Sequence, residues 1–204
     1  MKHKKAEKEL GKIFTNSDTI QIIRYDLDGI KPTYWVTNLE IMVRVEPSTL
    51  YSWGKMNTRW VDAVATIHKM RNKDALVLSC DKKTLEYQGG RWIKNFLFSN
   101  RWEEEKLKIS RVLLEEQRRK IRICYNDRKV IAVNNKYIKT LNVFFFGRKW
   151  FGNGEKDPIH CYDSEDNLLG LIMPIDMKNY KVESGKDLST ITTLLNQRGG
   201  EGND

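Results

Sequence analysis

One short stretch of the chain carries residue types that could perform phosphoryl transfer. Asp26-Leu27-Asp28-Gly29 places two carboxylates just before a glycine, as in an aspartyl nucleophile loop. Such a loop precedes a helix, whereas here Ile30-Lys31-Pro32 leads into a second strand-like run. Asp and Gly between two strand-like runs are typical of a hairpin, because Gly adopts positive φ cheaply and Asp hydrogen-bonds its own backbone. We therefore predict a turn without catalytic residues.

Two other acidic groups could bind magnesium in a nuclease. They are Glu103-Glu104-Glu105 and the set Asp163, Glu165 and Asp166. The first begins a predicted helix, where acidic side chains stabilise the helix dipole, and the second falls in a predicted turn. Because these local roles suffice, we predict that the protein is not an enzyme and requires no cofactor.

Cysteine and histidine are too dispersed for a metal centre. Cys80, Cys124 and Cys161 form no C-x-x-C pair, so the sequence predicts neither a disulfide framework nor a zinc site. We expect buried thiols. The three histidines are equally scattered: His3, His68 and His160.

Composition favours a polyanionic partner. The 204 residues include 36 basic and 27 acidic side chains, a formal net charge of +9. Clustered Lys and Arg attract the phosphates of nucleic acid. No apolar run approaches the ~20 residues that a bilayer span requires, and the basic start MKHKKAEKELGK lacks the apolar core of a secretory signal. We expect a cytoplasmic protein with no membrane contact.

Two predicted helices position the basic side chains. Residues 2–15 place Ala6, Leu10, Ile13 and Phe14 on one face and lysines on the other. A second helix is predicted from Asn57 or Thr58 to about residue 72, after a loop at 47–56. The residues that we expect to face phosphate are Lys5, Lys8, Lys12, Arg59, Lys69, Arg71 and Lys73. A solvated charged face is the alternative interpretation.

The remaining pattern predicts an α+β fold. Strands are expected at 19–27, 33–37, 40–46, 75–80, 84–88, 91–98, 121–126 and 130–134. A mostly helical segment is expected at 103–120, although KLKIS also alternates like a strand. A short helix from Asn134 or Asn135 and a hairpin of 157–163 with 167–175 follow.

Three segments resemble the DNA sliding clamps, especially the bacterial β-clamp. Thr37-Asn38-Leu39-Glu40 is similar to the T-D-L-E of that family, with Asn38 where Asp is usual. Val133-Asn134-Asn135-Lys136-Tyr137-Ile138, followed by Leu141, resembles its N-x-K-Y-L-x-x-x-L helix. Leu171-Ile172-Met173-Pro174-Ile175 resembles its closing I-M-P-M strand.

The resemblance implies clamp-like repeats of a helix followed by antiparallel strands. It implies a non-catalytic protein that tethers replication or repair factors, such as a DNA polymerase, to double-stranded DNA and can assemble into a homo-oligomeric ring. It also implies a peptide-binding groove at Met173, Pro174 and Ile175, where an ordinary edge strand interrupted by proline is the alternative.

The length of the chain leaves the domain layout and one other function open. A bacterial clamp chain has three domains, whereas this one has room for domains at 1–103 and 104–176, with a polar and disordered tail at 177–204. One domain interrupted by 49–129 is the alternative. The alternative function is a monomeric phage or mobile-element interaction module that binds or inhibits a host replication or defence protein.

Overall fold

A helix followed by three antiparallel strands occurs twice in the fold. The computed structural model describes residues 2–26, 32–79, 86–89, 105–116, 119–126, 129–145, 148–153 and 156–175. The first unit consists of α1 (Lys2–Thr15), β1 (Thr19–Arg24), β2 (Tyr34–Thr37) and β3 (Ile41–Val45). The predicted α+β class is confirmed.

A longer segment separates the two units. It contains α2 (Pro47–Met56), α3 (Arg59–Ile67), β4 (Asp74–Ser79), β5 (Glu86–Gly89), β6 (Glu105–Lys106), β7 (Lys108–Glu116), β8 (Arg119–Tyr125) and β9 (Val130–Asn134). The second unit consists of α4 (Asn135–Phe144), β10 (Lys149–Gly152), β11 (Ile159–Tyr162) and β12 (Leu168–Ile172).

One antiparallel sheet includes the strands of both units. Among the described residues its order is β5-β4-β1-β2-β3-β12-β11-β10-β6, and β7-β8-β9 form a second sheet. The units meet where β3 pairs with β12, with Val43 opposite Gly170 and Ile41 opposite Ile172. The order β1-β2-β3 is thus followed by β12-β11-β10, the arrangement that an approximate two-fold axis at this pair produces.

The junction between the units requires a glycine. A Cβ atom on Gly170 would lie 2.6 Å from the carbonyl oxygen of Met42 in the neighbouring strand. Real Cβ atoms do not approach backbone that closely, so any larger residue would push β12 away from β3.

The main hydrophobic core lies between the helices and the sheets. Phe14 of α1 and Leu141 of α4 are both fully buried in it, together with inward residues of the central strands. Two tryptophans extend this core under α1: Trp53 contacts Phe14 with ring centroids 5.7 Å apart, and Trp60 contacts Trp53 at 5.1 Å. The helices are therefore held against the sheet by large aromatic side chains.

The opposite face of the long sheet is also buried. Alternate residues of the central strands, including Ile23, Trp35, Met42 and Leu171, form a separate apolar cluster there. Burial on both faces explains why these strands read as nearly continuous hydrophobic runs.

Residues 47–56 form α2, and the predicted loop is wrong. Pro47 occupies the start of the helix, where its fixed φ and missing N–H are tolerated. The buried side chains of Leu50 and Trp53 lie one turn apart and attach α2 to the core. The helix predicted next is shorter than expected, because α3 ends at Ile67.

The predicted helix at 103–120 is also wrong. Its described residues form β6, β7 and the start of β8, and β7 pairs antiparallel with β8. Leu and Glu favour helices, but cross-strand pairing overrides that propensity here. The strand predicted at 91–98 and the tail at 177–204 lie outside the described residues.

Residues of the two predicted domains lie in the same sheet and in the same hydrophobic core. β3 belongs to the segment 1–103 and β12 to 104–176, yet they are hydrogen-bonded neighbours. The main core likewise combines residues of α1 and α4. The division into domains at 103 and 104 stays a prediction.

Candidate nucleic-acid interface

Helices α1 and α4, one from each unit, pack side by side. Leu10, Ile13 and Phe14 turn the apolar face of α1 inward. In α4 the side chain of Asn134 caps the first turn by accepting a hydrogen bond from the Lys136 backbone N–H at 3.0 Å. In α4 the buried side chains include Tyr137, Ile138, Leu141 and Phe144, so the opposite faces of both helices point outward.

Among the side chains of this helix pair whose exposure is described, six lysines are exposed on the outward faces, and we call them the lysine surface. Its members are Lys4, Lys5, Lys8 and Lys12 of α1 and Lys136 and Lys139 of α4. Three of them, Lys5, Lys8 and Lys12, are residues that the sequence predicts to face phosphate. α4 contains no acidic residue, while α1 contains Glu7, which is half-buried, and the exposed Glu9. Positive charge therefore predominates on this surface.

Glu9 lies among these lysines, and they lower its pKa. Its carboxylate accepts a hydrogen bond from Lys12 Nζ at 3.0 Å. This bond and the charge of Lys12 lower the pKa of Glu9, with further contributions from the charges of Lys5 and Lys136. Because a lysine of α4 acts on a carboxylate of α1, the two helices form one electrostatic surface.

Sequence reasoning missed the contribution of α4. Lys136 and Lys139 stand three residues apart, which places them on one face of a helix. That spacing was visible in the sequence, but the contact between α1 and α4 joins segments more than a hundred residues apart. The pairing of the two helices therefore had no local signal.

The other predicted phosphate-facing residues lie elsewhere. Lys69, Arg71 and Lys73 are exposed in the turn between α3 and β4, beyond the end of the helix. Lys73 has φ 74°, and its N–H donates to the Arg24 carbonyl at 2.7 Å. Arg59 begins α3, and its side chain lies outside the described set.

Asp26, the first acid of the candidate nucleophile loop, has structural partners. Its carboxylate accepts hydrogen bonds from the Arg24 guanidinium at 3.0 to 3.2 Å and from the Thr33 N–H at 3.0 Å. Arg24 also donates to the Met70 carbonyl at 2.6 Å. The pKa of Arg24 is raised, first by its hydrogen bond to Asp26. Asp26 thus links the ends of the β1–β2 hairpin to the α3–β4 turn, and Asp28 lies outside the described residues.

The predicted peptide-binding residues connect the two sheets. Met173, Pro174 and Ile175 are each half-buried just after β12. The Met173 N–H donates to the Glu40 carbonyl at 2.8 Å, and the Ile175 N–H donates to the Ala132 carbonyl of β9 at 2.8 Å. Both ends of this short segment are therefore fixed to neighbouring strands.

The loop between β2 and β3 presents an apolar side chain beside that segment. Leu39 is 60% exposed and has φ 72°, a conformation that is costly for a branched residue. The loop is held by hydrogen bonds from the Leu39 N–H to Thr37 Oγ1 and from the Glu40 and Ile41 N–H groups to Asn38 Oδ1. Leu39 is thus both exposed and fixed.

The second acidic group forms a turn. Asp163 accepts hydrogen bonds from the Glu165 and Asn167 N–H groups, each at 2.9 Å, between β11 and β12. Asp166 instead pairs with Lys149 at 2.8 Å. Glu103 and Glu104 lie outside the described residues, and Glu105 accepts a hydrogen bond from Asn126 at 2.8 Å.

Two of the three cysteines lie in the part of the chain that the structure describes. Cys124 and Cys161 are buried, as predicted, and burial raises the pKa of each thiol to about 12. Cys80 lies outside the described residues. Within the described ranges, no three His, Cys, Asp or Glu side chains are grouped so that they could hold a metal ion.

Comparisons with known proteins give no evidence for or against this interface. No family model, curated protein or solved structure matches this chain. No helix in the described part of the chain has both the length and the apolar character needed to cross a membrane.

Proposed function

We propose that this protein is a non-catalytic DNA-binding protein of the sliding-clamp type, which tethers replication or repair factors to duplex DNA. The observation that supports this most directly is the lysine surface on α1 and α4. These helices belong to two helix-and-three-strand units whose strands join edge to edge at β3 and β12. The proposal adopts a single clamp-like domain interrupted by the segment between the units.

Lysine is suited to contacts that do not depend on base sequence. Its ammonium group is a compact point charge on a flexible stem, and it neutralises phosphate without the planar fork with which arginine reads guanine. Six lysines on two packed helices therefore favour contact with the DNA backbone. Such contacts allow a protein to move along a duplex.

A second surface of the proposed function binds the tethered protein. Leu39 and the segment Met173, Pro174 and Ile175 meet through the hydrogen bond between Met173 and Glu40. Methionine and leucine adapt to apolar anchors of short peptides. We place the binding of a polymerase or a repair factor at this surface.

One observation favours the alternative, an interaction module that acts as a monomer. An exposed leucine fixed in a left-handed conformation is costly, and such strain is concentrated at binding sites. Leu39 would serve a protein partner whether or not DNA is bound. A host replication or defence protein is the partner in that alternative.

Light scattering and DNA topology separate the two functions. Size-exclusion chromatography with light scattering gives the mass of the purified protein, and binding is then compared on closed circular and linear duplex of equal length. A clamp is expected to be oligomeric and to be retained longer on the circle, because it escapes from free ends. A monomer that binds neither form would overturn the proposed function.

A further inference from the structure

A groove runs between α1 and α2. Its volume is about 350 Å³, which is the size of a small ligand site. α2 and the residue after it contribute Trp53 and Asn57, while α1 and the residue after it contribute Lys8, Gly11, Lys12, Thr15 and Asn16.

Glycine and tryptophan shape the floor of the groove. A Cβ atom on Gly11 would lie 2.8 Å from the indole of Trp53, so only glycine lets the ring lie against the α1 backbone. The Trp53 indole N–H donates to the Glu7 carbonyl at 3.1 Å, which fixes the ring. Trp53 is fully buried, so it holds α2 against α1 beneath the groove and does not itself face a ligand.

The rim of the groove is cationic. Lys8 and Lys12 stand four residues apart on α1, so their ammonium groups project from the same side of the helix. Asn16 continues this row one turn further and supplies a neutral donor. The lining contains no acidic residue, and Glu9, which pairs with Lys12, is not part of it.

We infer that the groove between α1 and α2 binds a phosphate group, held by Lys8 and Lys12. The phosphate is carried either by the DNA backbone or by a free nucleotide. A duplex seated on the lysine surface would reach the groove along the flank of α1. With DNA as the source the inference rests on the proposed function, because Lys8 and Lys12 belong to the lysine surface, whereas a free nucleotide would bind independently of that function.

Lysine footprinting tests the groove directly. The full-length protein is acetylated briefly with an amine-reactive ester, alone, with a nucleoside monophosphate and with a short duplex, and each lysine is quantified by mass spectrometry. We expect one of these probes to slow the reaction of Lys8 and Lys12 several-fold relative to exposed Lys108 and Lys156. Protection by the nucleotide identifies a nucleotide site, and protection by the duplex alone identifies a backbone contact.

A matched pair of variants provides the affinity measurement. Lys8→Gln/Lys12→Gln and the control Lys108→Gln/Lys156→Gln each remove two positive charges from exposed positions. The groove variant is expected to lose about tenfold in affinity for the protecting probe, and the control to lose about twofold or less. The inference is overturned if neither probe protects Lys8 and Lys12, or if both variants weaken binding equally. A duplex that protects all exposed lysines uniformly, with no effect of nucleotide, also overturns it.

Discussion

The hydroxyl group of Tyr137 in α4 donates a hydrogen bond to the carboxylate of Glu40 in the β2–β3 loop. These residues are 97 positions apart in the sequence. The carbonyl of the same Glu40 accepts the Met173 N–H at 2.8 Å. Each of the three segments on which the sliding-clamp hypothesis is based therefore contributes a residue to one contact point, where the two units of the fold meet.

Replacing Tyr137 with Phe tests the importance of this contact. The change removes only the hydroxyl group and leaves the Glu40 carboxylate without this donor. We expect the free energy of unfolding to fall by about 1.5–3 kcal/mol at neutral pH, the range for a hydrogen bond to a charged group. Urea unfolding measures it. A stability equal to that of the wild type would show that the contact contributes nothing.

The same variant has a predicted pH dependence. Burial, followed by the hydrogen bond to Glu40, raises the pKa of Tyr137 above its ordinary value. Stabilisation from this group is then complete below the unfolded-state pKa of about 10 and is lost as the pH rises above it. The difference in stability between the wild type and Tyr137→Phe should shrink between neutral and strongly alkaline pH. A difference that stays constant would contradict the assigned contact.

Gly170→Ala tests the junction between the two units. Because the added Cβ would lie 2.6 Å from the Met42 carbonyl, β12 must shift away from β3. We expect a loss of about 2 kcal/mol or more in the free energy of unfolding, measured by denaturant titration.

Gly54→Ala is the matched control for that variant. Its Cβ would meet a side-chain methyl of Val64 at 3.1 Å, which can move, and alanine favours the helix by about 1 kcal/mol. The control should change stability by less than about 1 kcal/mol. Equal losses in the two variants would show that the β3–β12 junction has no special demand for glycine.

Asp163 is predicted to stabilise the protein by holding the turn between β11 and β12. Although burial favours its neutral form, hydrogen bonds from the Asn167 side chain and from the Asn167 and Glu165 N–H groups keep the pKa of Asp163 below its ordinary value. Its stabilisation is present above the unfolded-state pKa of about 4 and is lost as the pH falls through the lower folded value. Asp163→Ala should therefore lower the melting temperature at pH 6 and have a smaller effect near pH 2.

A nuclease assay tests whether the acidic residues have a catalytic function. The pure protein is expected to leave plasmid intact in magnesium, and Asp163→Ala and Asp166→Ala should behave like the wild type. Magnesium-dependent cleavage that either substitution abolishes would contradict a non-catalytic function.

Elements with a local signal were predicted from the sequence. The apolar face of α1, the β-branched runs of β1 to β3 and the cap of α4 at Asn134 each follow from residues close together in the chain. The β11–β12 hairpin follows likewise from its turn residues.

Elements that depend on distant partners were not predicted. α2 begins at Pro47, and the sequence around this proline predicts a loop. The helix is stabilised by a distant contact, in which Trp53 packs against Phe14 of α1. β7 has the composition of a helix and is a strand because β8 pairs with it. The lysine surface also depends on distant residues, because Lys136 and Lys5 share one surface only through the packing of α4 against α1.

Fluorescence anisotropy with a labelled short duplex tests the lysine surface most directly. The wild type is compared with a surface variant, in which Lys5, Lys12, Lys136 and Lys139 become Gln, and a control variant, in which Lys106, Lys108, Lys120 and Lys156 become Gln. Both variants lose four exposed charges.

The central claim predicts a large difference between these two variants. For the surface variant we expect at least about a tenfold loss in affinity and a salt dependence shallower by about three to four units of log K against log salt, while the control stays close to the wild type. Equal losses in both variants, or duplex binding that neither variant weakens, would contradict a DNA-binding role for α1 and α4.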